Sequence, residues 1–90
     1  MIGLQIERKV AEDFFVGGEQ FAVTAIHSKT ACCIQRMRDG ALFDLVYDSW
    51  REIAPGVKVC VGERGQLHMT RIAFTADRSI PIVRGELYRA

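Results

Sequence analysis

Val57, Val59 and Val61 alternate with Lys58, Cys60 and Gly62. A strict period of two marks a strand, because successive side chains point to opposite faces of a sheet. The pattern recurs. Leu4, Ile6 and Arg8 alternate with Gln5, Glu7 and Lys9, and Phe21, Val23 and Ala25 alternate with Gln20, Ala22 and Thr24. Phe14 to Val16 is a short apolar run closed by the Gly17-Gly18 turn signal. Gly62-Glu63-Arg64-Gly65 reads as a hairpin loop. Leu67, Met69, Ile72 and Phe74 then continue as strand, with a bulge where the apolar spacing slips from two to three. Ile80 to Val83 is a short strand, and Pro81, lacking an N–H, belongs at a sheet edge or at a position with no ladder bond. These signals predict a mostly β chain, a small barrel-like or sandwich-like domain. One or two helical turns follow within Arg84 to Ala90. No repeat array or linker is legible.

Residues 39–53 carry two patterns. Leu42, Val46, Trp50 and Ile53 fit one helix face, with Asp39 as N-cap and Pro55-Gly56 as the stop. Asp39-Gly40 equally fits a hairpin turn joining Ala31–Met37 to Ala41–Tyr47. We read the hairpin, followed by a helical turn around Ser49–Ile53, with an apolar patch of Phe43, Val46 and Trp50.

Ninety residues suit one domain over 1–90, and the size scaling has such a chain bury about 64% of its surface. That is one modest core, which a partner subunit would enlarge. Hydrophobic residues make up 49% and charged residues 26%, which excludes a disordered chain. No apolar run approaches the ~18 residues of a membrane helix, and MIGLQIERKV is no secretory signal. Three cysteines, two of them adjacent, form no disulfide framework, and the cytoplasm is the expected location.

Chemistry of the catalytic kind finds little support. His27, Cys32, Cys33, Cys60 and His68 lack metal-ligand spacing, and the cysteines read as small core hydrophobes. Asp44 and Asp48 read as solvated acids, and no phosphate-cradling glycine loop is present. The expectation is a non-enzyme without metal, cofactor or small-molecule substrate. The basic residues are more suggestive. Net charge is only +1, but residues 19–55 hold four basic and five acidic groups, so the surplus lies at the two ends of the chain. Arg8 and Lys9 follow the first strand, Arg84 follows the last, and Arg71 and Arg78 flank the strand between. A guanidinium fork suits phosphates and guanine edges.

At those two ends the chain resembles the CsrA/RsmA carbon storage regulators. Ile6-Glu7-Arg8-Lys9-Val10-Ala11-Glu12 is similar to the family's opening L-T-R-K/R-x-G-E, and Phe14-Phe15-Val16-Gly17 to its second strand. The run from Thr70 to Tyr88 is similar to V-R-L-G-I-x-A-P-K-x-V-P-V-H-R-E-E-I-Y, and Ile53 to Gly65 to I-G-D-x-I-x-V-x-V-x-x-x-x-G. Glu7 stands where the family has threonine, Ala11 where it has glycine, Asp77 where it has proline, and Gly85 within its H-R-E-E run. An insertion of approximately residues 19–55 separates the blocks. Gln20–Ile26 and Val57–Val61 both fit the family's third strand, so the insertion begins after Gly18 or after Ile26. The RsmN variant has a helical insertion at a comparable place.

The resemblance implies a homodimer with strands interleaved between protomers. It also implies recognition of GGA in hairpin loops of messenger or small RNA, repressing or adjusting translation. By position it assigns RNA contact to Arg84 above all, with Ile6, Glu7, Arg8 and Lys9 from the first strand and Ile82, Val83 and Glu86 from the last; Arg71 and Arg78, from the basic pattern, are secondary candidates. The alternative is a protein-interaction module on the same scaffold that has lost RNA binding.

Overall fold

Alternating apolar positions give each strand one face to hide, and two sheets closing on each other hide both. The computed structural model describes residues 2–90, with the backbone alone at Ile2. Among the described residues the chain forms β1 (Ile2–Arg8), β2 (Asp13–Val16), β3 (Glu19–Ser28), β4 (Ala31–Arg36), β5 (Leu42–Val46), β6 (Arg51–Ala54), β7 (Val57–Gln66), β8 (Met69–Ala76), β9 (Ile82–Arg84) and the short helix α1 (Gly85–Tyr88). All ladders between the named strands are antiparallel, and a single parallel bridge joins Tyr47 to Val61. One sheet has the order β1-β8-β7-β6 and the other β5-β4-β3-β2-β9. The expected small all-β domain with a C-terminal helical turn is the observed one. No described helix is long and apolar enough to cross a membrane.

The core lies between the sheets. Phe14 is fully buried at its centre, stacked on Phe21 at 5.6 Å and edge-on to Phe74 of the opposite sheet at 5.5 Å. Val57, Val59 and Val61 are all buried, as their period requires. Cys32, Cys33 and Cys60 are buried and free, filling space as small apolar side chains.

Residues 31–46 form the expected hairpin, with Ala31 opposite Val46 and Gln35 opposite Leu42. Four details differ from expectation. Residues 51–54 are strand, not a helical turn, because Arg51 and Glu52 pair with Val59 and Lys58. Of the apolar patch, Phe43 packs on the core while Val46 and Trp50 stay exposed. Gly62 and Gly65 lie inside β7, and the tight turn is Leu67-His68. The glycines answer a close approach instead: a Cβ on Gly62 would meet that of Ala73 at 2.5 Å, and one on Gly65 the Met69 carbonyl oxygen at 2.5 Å. Finally, β8 alternates without a bulge, burying Thr70, Ile72, Phe74 and Ala76, and the irregularities fall in β7.

The β1–β2 connection holds Ala11 at φ 74°, where a Cβ is strained. Its N–H donates to the Val23 carbonyl at 2.8 Å, which fixes the conformation. Ala11→Gly is expected to raise the urea midpoint, by up to about 1 kcal/mol of stability, since glycine enters this region without the steric cost.

Candidate nucleic-acid interface

β1 has a neighbour on one side only, β8, and β9 likewise only β2. The two open edges face each other across the sandwich. They enclose a cleft of about 650 Å³ lined by Leu4, Gln5, Ile6 and Glu7 from β1 and by Ile82, Val83, Arg84 and Leu87 from β9 and α1. An edge strand presents unpaired N–H and C=O groups along its length, so the cleft combines backbone donors and acceptors with apolar side chains such as Ile6 and Ile82. Five residues singled out in the sequence, from segments more than seventy positions apart, meet here: Ile6, Glu7, Ile82, Val83 and Arg84.

Arg84 ends β9 and caps α1 in extended geometry, φ −61° and ψ 143°. It is exposed, and no side-chain hydrogen bond or ion pair with another described residue engages it. Glu7 is exposed on the facing strand, in register with Arg71. Arg71 reaches Glu63 at 3.1 Å, while its Nε is buried without a partner. It flanks the cleft through Glu7 and does not line it. Lys9 and Arg78 are exposed in turns outside the cleft.

Arg8 and Glu86 differ in kind. Arg8 is 4% exposed. Its Nη1 and Nη2 donate to the two Glu86 carboxylate oxygens at 2.8 and 2.9 Å, its Nη1 to the Asp13 carbonyl at 3.1 Å, and its Nε to the Glu7 carbonyl at 2.6 Å. The fork binds β1 to α1 and leaves little for a ligand. Its strand period does place it inward, with Ile6, and an inward arginine needs a partner. The chain supplies Glu86 from the far terminus.

A second fork steadies the other side of α1. Arg89 donates to both Asp13 carboxylate oxygens at 2.6 and 3.1 Å, and Gln20 donates to one of them at 2.8 Å. A Cβ on Gly85 would fall 1.8 Å from that carboxylate. Glycine at this position is therefore a packing requirement of the Asp13–Arg89 pair. Phe15 stacks on Tyr88 with ring centres 3.8 Å apart. The cleft wall formed by β9 and α1 is thus fastened at three points. Leu4, Gln5 and Leu87 were not singled out in the sequence. The signal for Leu87 was its spacing of three from Arg84 on a helical turn.

The forks set the acid behaviour. Arg8 holds the Glu86 carboxyl down to about 2, from 4.5. The Arg89 hydrogen bond, then that of Gln20, lowers Asp13 against the opposing effect of its burial. A depressed carboxyl pKa contributes stability above its unfolded value and loses it as pH falls through the folded value. The melting temperature should therefore be flat above about pH 5 and fall between pH 4.5 and 2. In Arg8→Ala that slope should be shallower, a difference a calorimetric pH series would read.

Comparison with protein-family models, with curated proteins and with solved structures finds no match.

Proposed function

We propose that the cleft between β1 and β9 binds a single-stranded GGA-type loop of messenger or small RNA and so represses or modulates translation, in the cytoplasm. One observation carries the reading. Five residues that the resemblance assigns to RNA, far apart in sequence, line one cleft, and among them Arg84 makes no side-chain hydrogen bond with another described residue. Loops suit such a site because their base edges are open, whereas A-form grooves hide them.

The chemistry matches guanine on both edges. A guanidinium donates in a fork to O6 and N7. A carboxylate accepts from the N1–H and the exocyclic amine on the Watson–Crick edge. Arg84 and Glu7 supply this pair from opposite walls, and the edge-strand amides and carbonyls add further contacts. Glu7 is then a reader of the base and not a phosphate repellent.

Titration of a GGA hairpin against a scrambled loop tests the reading. Arg84→Ala should weaken GGA binding by about 1–3 kcal/mol and relax the preference, with the melting temperature unchanged. Glu7→Ala should weaken GGA binding too. Tighter binding by Glu7→Ala, with equal loss on both RNAs in Arg84→Ala, would leave only phosphate contact.

One observation favours a second reading, a protein-interaction module that has lost RNA binding. Two open strand edges also accept an extended peptide by strand addition. Equal, negligible affinity of the parent for both hairpins would put that reading first.

A further inference from the structure

The strand order hides a repeat. The turns Gly17-Gly18 and Pro55-Gly56 are 38 positions apart (55 less 17), and so are Lys29-Thr30 and Leu67-His68 (67 less 29). β3 shifts register between Val23 and Ala25, and β7 between Val61 and Glu63, again 38 apart. β2-β3-β4 and β6-β7-β8 are therefore the same meander made twice.

Each meander is completed by a strand belonging to the other. β1, which leads into the first, pairs with β8 of the second, and β5, which leads into the second, pairs with β4 of the first. The exchanged strands match with a slip of one residue: Ile6 lies opposite Ile72, and Phe43, 37 residues after Ile6, lies opposite Ile34, 38 residues before Ile72. This is strand exchange of the kind expected between two protomers, made inside one chain.

The duplication is incomplete. β9 covers β2, but among the described residues no strand lies on the outer side of β6, which ends its sheet. The β6 edge is also blunted. Gly17 N–H donates to the Pro81 carbonyl at 2.8 Å to anchor β9, and its counterpart is Pro55, which has no N–H to give. β6 shifts register between Glu52 and Ala54 as well. The accessible surface is 5069 Å², no more than the roughly 5,300 Å² of a self-sufficient monomer of this mass.

We infer that the chain is an internally duplicated, strand-exchanged pair that acts as a single copy and carries one complete cleft. It takes one RNA loop per chain, a point that rests on the proposed reading of that cleft. Sedimentation and native mass spectrometry of the full chain test this, alone, with a one-loop GGA hairpin and with an RNA bearing two such loops. The expected results are a 10.1 kDa species alone at micromolar concentration, one chain per one-loop RNA, and two chains on the two-loop RNA. Leu42→Ser lies on the counterpart edge, β5, at an exposed position, and should leave affinity within about twofold. A species of twice the mass without RNA, or two loops held by one chain, would overturn the inference. A single-mass chain that binds no hairpin upholds the self-contained fold and overturns the reading of its cleft.

Discussion

Phe14→Ala should destabilise the chain by about 3–5 kcal/mol, the largest loss expected from any single truncation. Phe14 is 0% exposed, and its ring touches partners in both sheets: Phe21 through the β2–β3 pair, and Phe74 from β8. Truncation removes the transfer free energy of the ring and opens a void that neighbouring strands, fixed by ladder bonds, close only in part. Each ring pair adds about 0.5–1.5 kcal/mol beyond area burial. Phe15→Ala is the internal comparison. Phe15 is half-buried on the other face of the same strand and stacks on Tyr88. Its loss should loosen α1 while costing clearly less than Phe14→Ala. Urea denaturation of both variants checks the ranking, and equal costs would mean that Phe14 does not join the sheets.

Arg8→Ala comes next, at about 1.5–3 kcal/mol, the range of hydrogen bonds to charged groups. Removing this inward side chain leaves the Asp13 carbonyl without its donor and frees α1 from β1. The effect on RNA should be indirect, appearing as a lowered melting temperature together with weaker binding. Arg8→Lys should not restore stability, because one ammonium cannot reproduce a planar fork to two oxygens. An Arg8→Ala chain that melts like the parent yet loses RNA affinity would make Arg8 a direct contact instead. Arg84→Ala, in contrast, should alter binding alone.

The strand content was legible because it rests on local periodicity. Val57, Val59 and Val61 announce β7 by themselves, and Asp39-Gly40 announces its hairpin. What escaped reading depended on distant partners. Arg8 alternates correctly with Ile6, but nothing nearby shows that Glu86, 78 positions on, closes its fork. Thr70 occupies a core position that an apolar count skips, which produced the expected bulge in β8. The repeat escaped because its two copies hardly share residues. Gly18 matches Gly56, Val23 matches Val61 and Ile34 matches Ile72, while Phe21 faces Val59 and Cys32 faces Thr70. Packing tolerates such exchanges where volume and alternation are kept. Gln20–Ile26 and Val57–Val61 lie in β3 and β7, the middle strands of the two meanders.

The cleft was legible as residue types and not as a place. Ile6, Glu7, Ile82, Val83 and Arg84 were named from motif position, and their meeting follows from β1 and β9 lying at open edges of opposite sheets. Amide chemical-shift mapping of the full chain, titrated with a GGA hairpin and then with its scrambled counterpart, tests that meeting most directly. Perturbations should cluster at Leu4–Glu7 and Ile82–Arg84 with the GGA loop and be weaker with the scrambled one, while Leu42–Val46 stays silent. Shifts centred on β5 or β6, or none in the cleft at saturating RNA, would contradict the assignment.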